Sequence, residues 1–515
     1  MIILYHQNNA VTQVWNDILQ EDVPVRLASI ADTLFEVAHA FPESLLFWCH
    51  ESQRNYFNKD SDSIAAIFHH KKIMAFYNPA KENYFPDTIG YVDESLFANP
   101  NKNEKFSTWF ASAAIGGIAS EVLLRLEKEI VQDKDFDYFL HSLAKLWMPH
   151  GLLCYSEPRL LLHSNTDYKT PKATTKTVFK FVRQHYKFRW LFLLRLNYVL
   201  YQKSGHSRAF FQSLFYSKRK TDGKPLDTLV VQSSRKIINK ATVDVVIPTI
   251  GREQYLHTFL SDLAVQTQLP RKVIIVEQNS AEGSQSNLDF LKNTSWPFAI
   301  SHTFTRQAGA CNARNIALAQ IESEWVFFAD DDIRIGEDFL ETAFSQITKY
   351  GNEANTLSCL QLNEKTVFDT VFQWKTFGSG CSIVKAETVK GLQFDLRFEF
   401  GFGEDSDFGM QLRNKGYDVL YFPFPQILHL KAPIGGFRTK PELAWKNEKL
   451  QPKPSPTVML YRLLHQSKTQ LQGYKTVSFF KFYKHQPIRN PFRYYKNFKA
   501  KWAVSLLWAN KIKNS

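Results

Sequence analysis

The sequence predicts an α/β protein, with a doubly wound sheet in its second half and a smaller α/β region before it. Three observations carry this. From about residue 241, short apolar runs that suit strands buried on both faces alternate with helical segments. One such run, Val326-Phe327-Phe328, ends in Asp330, Asp331 and Asp332, where a parallel strand would leave the sheet and ligands collect. The chain has 515 residues, more than one core usually serves, so two or three domains are expected.

In chain order, Ile2–Tyr5 reads as a strand, Ile30–Ala40 as a helix and Leu45–Trp48 as a strand ending in Cys49-His50-Glu51. Residues 1–163 therefore form a first α/β domain. Parts of it echo the second half. PHGLLCYSEPRLLLH, ending at His163, resembles GYDVLYFPFPQILH, ending at His429, and STWFASAAIGGIASEVL corresponds in order to KTFGSGCSIVKAETV. The expectation is a duplicated fold whose first copy is shortened and lacks the acidic triplet. Residues 164–240 form a basic, aromatic helical linker with no acid between Asp167 and Asp222, and the turn-forming TDGKPLDT around Gly223 and Pro225 reads as a hinge. Residues 241–437 form the second α/β domain, and 438–515 repeat the basic aromatic composition.

Lys and Arg number 63 against 50 Asp and Glu, a formal charge of +13, which points to an anionic partner. No RNP-type, KH or zinc-finger pattern is present, so nucleic acid is not expected. Basic residues beside aromatics at helical spacing suit an interfacial helix on anionic lipid, or a helical collar with buried aromatics. The N-terminus has no basic region before an apolar run, and no apolar stretch reaches the roughly 18 residues of a spanning helix. Five scattered cysteines read as reduced thiols. The expected location is cytoplasmic, or peripheral on the inner face of the plasma membrane.

Val243–Ile247 opens the second domain as a strand, followed by a Pro-Thr-Ile-Gly turn and a helix. RKVIIVEQNS is a second parallel strand ending in Glu277 and Gln278, and RQAGACNARNIALAQ a glycine turn into a helix carrying Arg314. This is neither a GxGxxG nor a P-loop pattern, so dinucleotide and ATPase readings lose support. Asp330 and Asp332 are two apart and face one way on an extended segment, with Asp331 facing the other. Grouped carboxylates repel unless a cation lies among them, and hard oxygen ligands suit Mg²⁺ or Mn²⁺. A solvated acidic turn is the other reading. Glu404, Asp405 and Asp407 begin a helix, where the macrodipole favours carboxylates and where one facing a cleft could act as a base.

Taken together, VVIPTIGR, VEQNS, GACNARN, ADDD, GSG and GEDSD resemble, in order and approximate spacing, the inverting family 2 glycosyltransferases of the GT-A fold, over about residues 241–432. The resemblance implies a Rossmann-like nucleotide-diphospho-sugar transferase domain that needs Mg²⁺ or Mn²⁺. By it, Pro248, Thr249, Arg252, Glu277, Arg314, Asp330 and Asp331 bind the nucleotide-sugar. Asp330 and Asp332 form the DxD pair, and His429, 24 positions after Asp405, joins the metal. Asp405 is the base. Trp374, Gly378, Gly380 and Glu404 border the acceptor. Glu277 departs from the family's usual Asp. The function so implied is transfer of a sugar, with a UDP-sugar favoured, to a hydroxyl of a saccharide or lipid-linked saccharide, in cell-envelope polysaccharide synthesis. A nucleotidyltransferase and a non-enzymatic membrane-docked scaffold are the alternatives.

Overall fold

The computed structural model describes all residues except 27–28, 96–98, 164–167, 222–223 and 434–441. The expected boundaries at 163/164 and 437/438, and the hinge at Gly223, lie outside the described residues. Two compact units are present: Met1–Arg235 with Gln466–Gln486, and Lys236–His465 with Pro487–Ser515.

In the first unit, Ile2–Gln7 pairs in parallel with Leu45–His50, which pairs antiparallel with Ile115–Ala119. That strand is antiparallel to Ile73–Tyr77, itself parallel to Leu153–Ser156. In the second unit, Val243–Thr249 is parallel to Trp325–Ala329, which is antiparallel to Cys381–Lys385. Cys381–Lys385 is antiparallel to Ala354–Gln361, itself parallel to Val419–His429. Five strands thus share order and sense in both sheets, as a duplicated fold predicts. The sequence echoes fall on matching places: Ile115–Ala119 with Cys381–Lys385, and Leu153–Ser156 with Val419–His429. The second sheet is mixed where the sequence predicts parallel strands. Cys381–Lys385 enters between two strands of the opposite sense, and alternation of apolar runs carries no signal of strand direction.

The predicted helix Ile30–Ala40 is present, started by Ser29, whose side chain accepts from the Asp32 N–H. Trp325–Ala329 is buried throughout, as its unbroken apolar run requires. The basic segment after residue 167 is helical, as expected, and packs on the first unit. It forms the helices Thr175–His185, Arg189–Gln202 and Ser207–Ser213, and Phe179, Phe181, Leu191, Leu194, Tyr198 and Phe210 join the first unit's core. The last stretch is not one body. Lys468–Tyr483 lies within the first unit and Pro491–Lys513 within the second. Gln470 donates to the Asp93 and Ser95 carbonyls at 3.0 Å each, and a Cβ on Gly473 would collide with the Tyr91 carbonyl oxygen. Backbone contact this close makes Lys468–Tyr483 an integral part of the first unit.

Candidate active site

In the second unit a cavity of about 450 Å³ opens at the carboxyl ends of Val243–Thr249, Lys272–Gln278 and Trp325–Ala329, within the usual size range of small-molecule sites. Pro248, Thr249 and Arg252 line it from the first of these strands, and Asp330, Asp331 and Asp332 from the last. Arg314, buried on the helix Ala310–Leu318, donates to Asp330 at 3.1 Å.

The chain turns at Asp331 and Asp332, so the alternation of an extended segment does not apply there. The side chains nevertheless divide as expected. Asp331 accepts from the Thr249 hydroxyl and from Arg252, each at 2.6 Å. Asp330 and Asp332 gather with His429, one ligand atom of each lying within 4.8 Å of the others. His429 arrives because Ile333, next to Asp332 in the chain, pairs with it across antiparallel strands. Two carboxylates and an imidazole are a donor set that fits Mn²⁺ or Mg²⁺.

The charges here are tuned by their neighbours. The hydrogen bond to Asp332, 3.4 Å away, holds the His429 imidazole above its usual pKa of 6.5. Burial pushes the Asp332 carboxyl up, but His429, the Ala432 N–H and the Arg252 charge outweigh it and keep it below the usual 3.8. For Asp331 burial wins over the nearby Arg252 and raises its pKa to about 6.

Glu404 and Asp405, in the first turn of the helix Glu404–Asn414, also line the cavity. Asp405 accepts a hydrogen bond from Ser379. Burial raises its pKa, and the Arg314 charge works against that rise. Glu404 is raised to about 7, by burial first and then by the charge of Asp405. Asp407 is held away from this task, its carboxylate 2.7 Å from His465. Gly380 sits where the pairing of Ala329 with Cys381 draws the loop over the acids. A Cβ there would collide with the Asp330 carboxylate, so this glycine permits close approach rather than flexibility.

Three residues expected at the site stand apart from the cavity. Glu277 alternates with Gln278 along its strand, so Gln278 faces the cavity and Glu277 does not. The Glu277 carboxylate is taken up by Ser286 at 2.5 Å, His302 at 2.9 Å and the Asn287 N–H at 3.1 Å. Trp374 packs in an aromatic cluster with Tyr421, Phe372 and Phe368, at ring distances of 5.0, 5.5 and 5.7 Å. Gly378 packs against Cys381 and Thr356. Sequence reasoning missed Ser379, which the paired glycines of GSG overshadowed. Gln278, whose side-chain oxygen accepts from the Gly309 N–H at 2.6 Å, was read only as a polar group at its strand's tip, with the binding role given to Glu277, and the loop Phe398–Gly401, which carries no family motif, was missed.

Residues 244–396 match the model of Glycosyl transferase family 2. Among curated proteins, the chain is similar to the poly(ribitol-phosphate) beta-N-acetylglucosaminyltransferase TarS of Staphylococcus aureus, 26% identical over 132 residues, 25% of this chain and 23% of that protein. It is also similar to glycosyltransferase GlyA of Streptococcus pneumoniae serotype 4, 28% identical over 109 residues, 21% of this chain and 15% of the relative. The similarity thus spans less than a quarter of the length of either relative. Among solved structures, S. aureus TarS 1-349 in complex with UDP-GlcNAc superposes with a TM-score of 0.37 at 17% identity, over 52% of this chain and 79% of that one. The second unit thus carries, on a mixed α/β sheet, a segment that matches Glycosyl transferase family 2.

Proposed function

We propose that this protein is a metal-dependent, inverting glycosyltransferase that moves a sugar from a nucleotide-diphosphate sugar to an acceptor hydroxyl. The observation that carries the reading is the gathering of Asp330, Asp332 and His429 in one cavity with Asp405. Asp330, Asp332 and His429 would hold Mg²⁺ or Mn²⁺, which when bound neutralises charge on the diphosphate. Pro248, Thr249 and Gln278 border the nucleotide's end of the cavity, and Arg252 and Arg314 offer cations to its phosphates. Ser379 fixes the rotamer of Asp405. The acceptor oxygen bonds to C1 as the bond from C1 to the diphosphate oxygen breaks on the opposite face, and Asp405 takes the acceptor proton. Glu277, engaged by its own loop, is proposed to shape the base pocket through that loop rather than by contact.

A UDP-sugar is the favoured donor, and the acceptor a saccharide or lipid-linked saccharide of the cell envelope. TarS is by name an N-acetylglucosaminyltransferase, so UDP-GlcNAc heads the donor series. The test is donor hydrolysis across UDP-, GDP- and dTDP-sugars with and without Mn²⁺. Metal-dependent release of UDP from one sugar is expected. Conversion of a nucleotide-sugar and added pyrophosphate to the nucleoside triphosphate and sugar 1-phosphate would favour a nucleotidyltransferase, and no response to any donor or to UDP with metal would favour a scaffold.

The first unit, without acids at His50 or Cys49, is proposed to be a non-catalytic copy. We further propose that its basic helices meet an anionic membrane surface. Their aromatics divide: Phe179, Phe181 and Phe210 are buried, whereas Phe188, Phe192, Phe211 and Phe215 are exposed, Phe215 by 89%. Phe188 and Phe192 meet edge to face at 5.2 Å, and Arg195 lies over Phe210 and Phe211. Among the described residues no helix is long and apolar enough to cross a membrane. Each Lys or Arg near anionic lipid adds about 1 kcal/mol. Flotation with vesicles should therefore need anionic lipid and weaken with salt, and F192E/F215E should abolish it. Flotation on neutral vesicles alone, or none, would count against this docking.

A further inference from the structure

We propose that Phe400 is a stacking platform for a sugar ring of the acceptor, a role that rests on the transferase reading above. Phe400 lines the cavity and is 41% exposed. The other phenylalanine lining it, Phe398, is buried at 1%, so Phe400 presents the accessible benzyl ring of a wall otherwise made of carboxylates and glycine. Pyranose rings offer a face of C–H groups, and an aromatic face in an otherwise polar cleft is the complementary surface.

The backbone at Phe400 is unusual. Its φ is +57°, a left-handed conformation that a bulky side chain adopts at a cost. The chain on both sides is fixed. The Glu399 carboxylate accepts from the Cys311 N–H at 3.1 Å and the Asn312 N–H at 2.8 Å. The Phe402 N–H donates to the Thr457 hydroxyl at 3.0 Å, and a Cβ on Gly401 would collide with the Thr457 side chain. The Gly401 N–H closes the turn on the Phe398 carbonyl at 2.9 Å. Held at both ends, Phe400 points into the cavity instead of joining the core.

Glycine would satisfy this backbone better, so a phenylalanine here keeps strain in exchange for a ring at the cavity. The ring lines the same cavity as Glu404 and Asp405, four and five positions after it in the chain. The attacking saccharide must reach Asp405 in this cavity, and the exposed ring offers it a face there.

The experiment uses the full chain with UDP and Mg²⁺. Saturation-transfer NMR measures binding of methyl β-glucoside, methyl β-galactoside and methyl N-acetyl-β-glucosaminide, and calorimetry measures UDP. At least one glycoside should bind, about tenfold more weakly to F400G and F400A, with F400Y and F400W near the original. F400G should melt at the same or a higher temperature, since glycine relieves the left-handed strain, and UDP affinity should be unchanged in all four. A purely structural ring would instead lower the melting temperature of F400G and leave glycoside binding intact, which would overturn the assignment. No glycoside binding to the original chain, or equal losses for UDP and glycoside, would overturn it too. Failure of the original chain to bind UDP with Mg²⁺ would sink the transferase reading instead.

Discussion

Asp405→Asn is expected to lower turnover by about 10²–10⁴-fold while leaving donor and metal binding in place. The amide is nearly the same size and still meets Ser379, but it cannot accept a proton, so the loss falls on the chemical step. Single-turnover rates beside UDP and Mn²⁺ affinities would check this; normal turnover would move the base to another residue. Glu404 is the control. A carboxylate serving only the start of a helix would make Glu404→Gln destabilising, but burial reverses that sign. The folded pKa of about 7 exceeds the ordinary 4.5, so the folded state resists ionising this group. Its presence costs nothing below about pH 4.5, progressively more up to about 7, and a constant amount above. Without donor or metal, Glu404→Gln should thus raise the melting temperature at pH 8 and not at pH 4. A melting temperature lower at both pH values would contradict this.

Asp332→Ala is expected to remove metal-dependent activity altogether. It deletes one of the three candidate ligands and leaves Arg252 and His429 without a carboxylate they both approach at 3.4 Å. His429→Ala should instead raise the Mn²⁺ concentration needed, with partial recovery at high metal. A ligand imidazole must be neutral, and Asp332 stabilises its charged form, so the half-saturating Mn²⁺ of the original chain should rise as pH falls. Metal titrations of activity at several pH values test all three statements. His50→Ala changes the corresponding strand end of the first sheet, and activity should survive it. Equal loss from Asp332→Ala and His50→Ala would place essential chemistry in both units.

The parts of the site that lie next to one another in the chain were legible in the sequence alone. Pro248 and Thr249, the acids at 330–332 and Asp405 all follow a strand end or open a helix, and local pattern finds such positions. His429 was legible only through resemblance, because its approach to Asp332 depends on pairing between residues about a hundred positions apart. Glu277 and Trp374 show the opposite case. Each is the right type of residue near the right motif, but strand alternation turns the first aside and an aromatic cluster claims the second. The Phe398–Gly401 turn had no signal at all, since its conformation is imposed by Thr457 and by the helix Ala310–Leu318. The basic segments left two readings open for a related reason: composition records charge, and it does not record which aromatics of a helix find a core.

The helix Lys468–Tyr483 also bears on synthesis. The first unit is complete only with Gln466–Gln486, which the ribosome makes after all of residues 236–465. At roughly 5–20 residues per second, the amino-terminal part waits on the order of 10–50 s for its last piece. During that interval Tyr91, Asp93 and Ser95 lack the partners that Gly473 and Gln470 bring, while a second sheet of the same strand order is emerging. Nascent chains stopped short of residue 466 should therefore be more open to protease around Tyr91 than the finished protein, and in the cell this is the stretch a chaperone would be called on to guard.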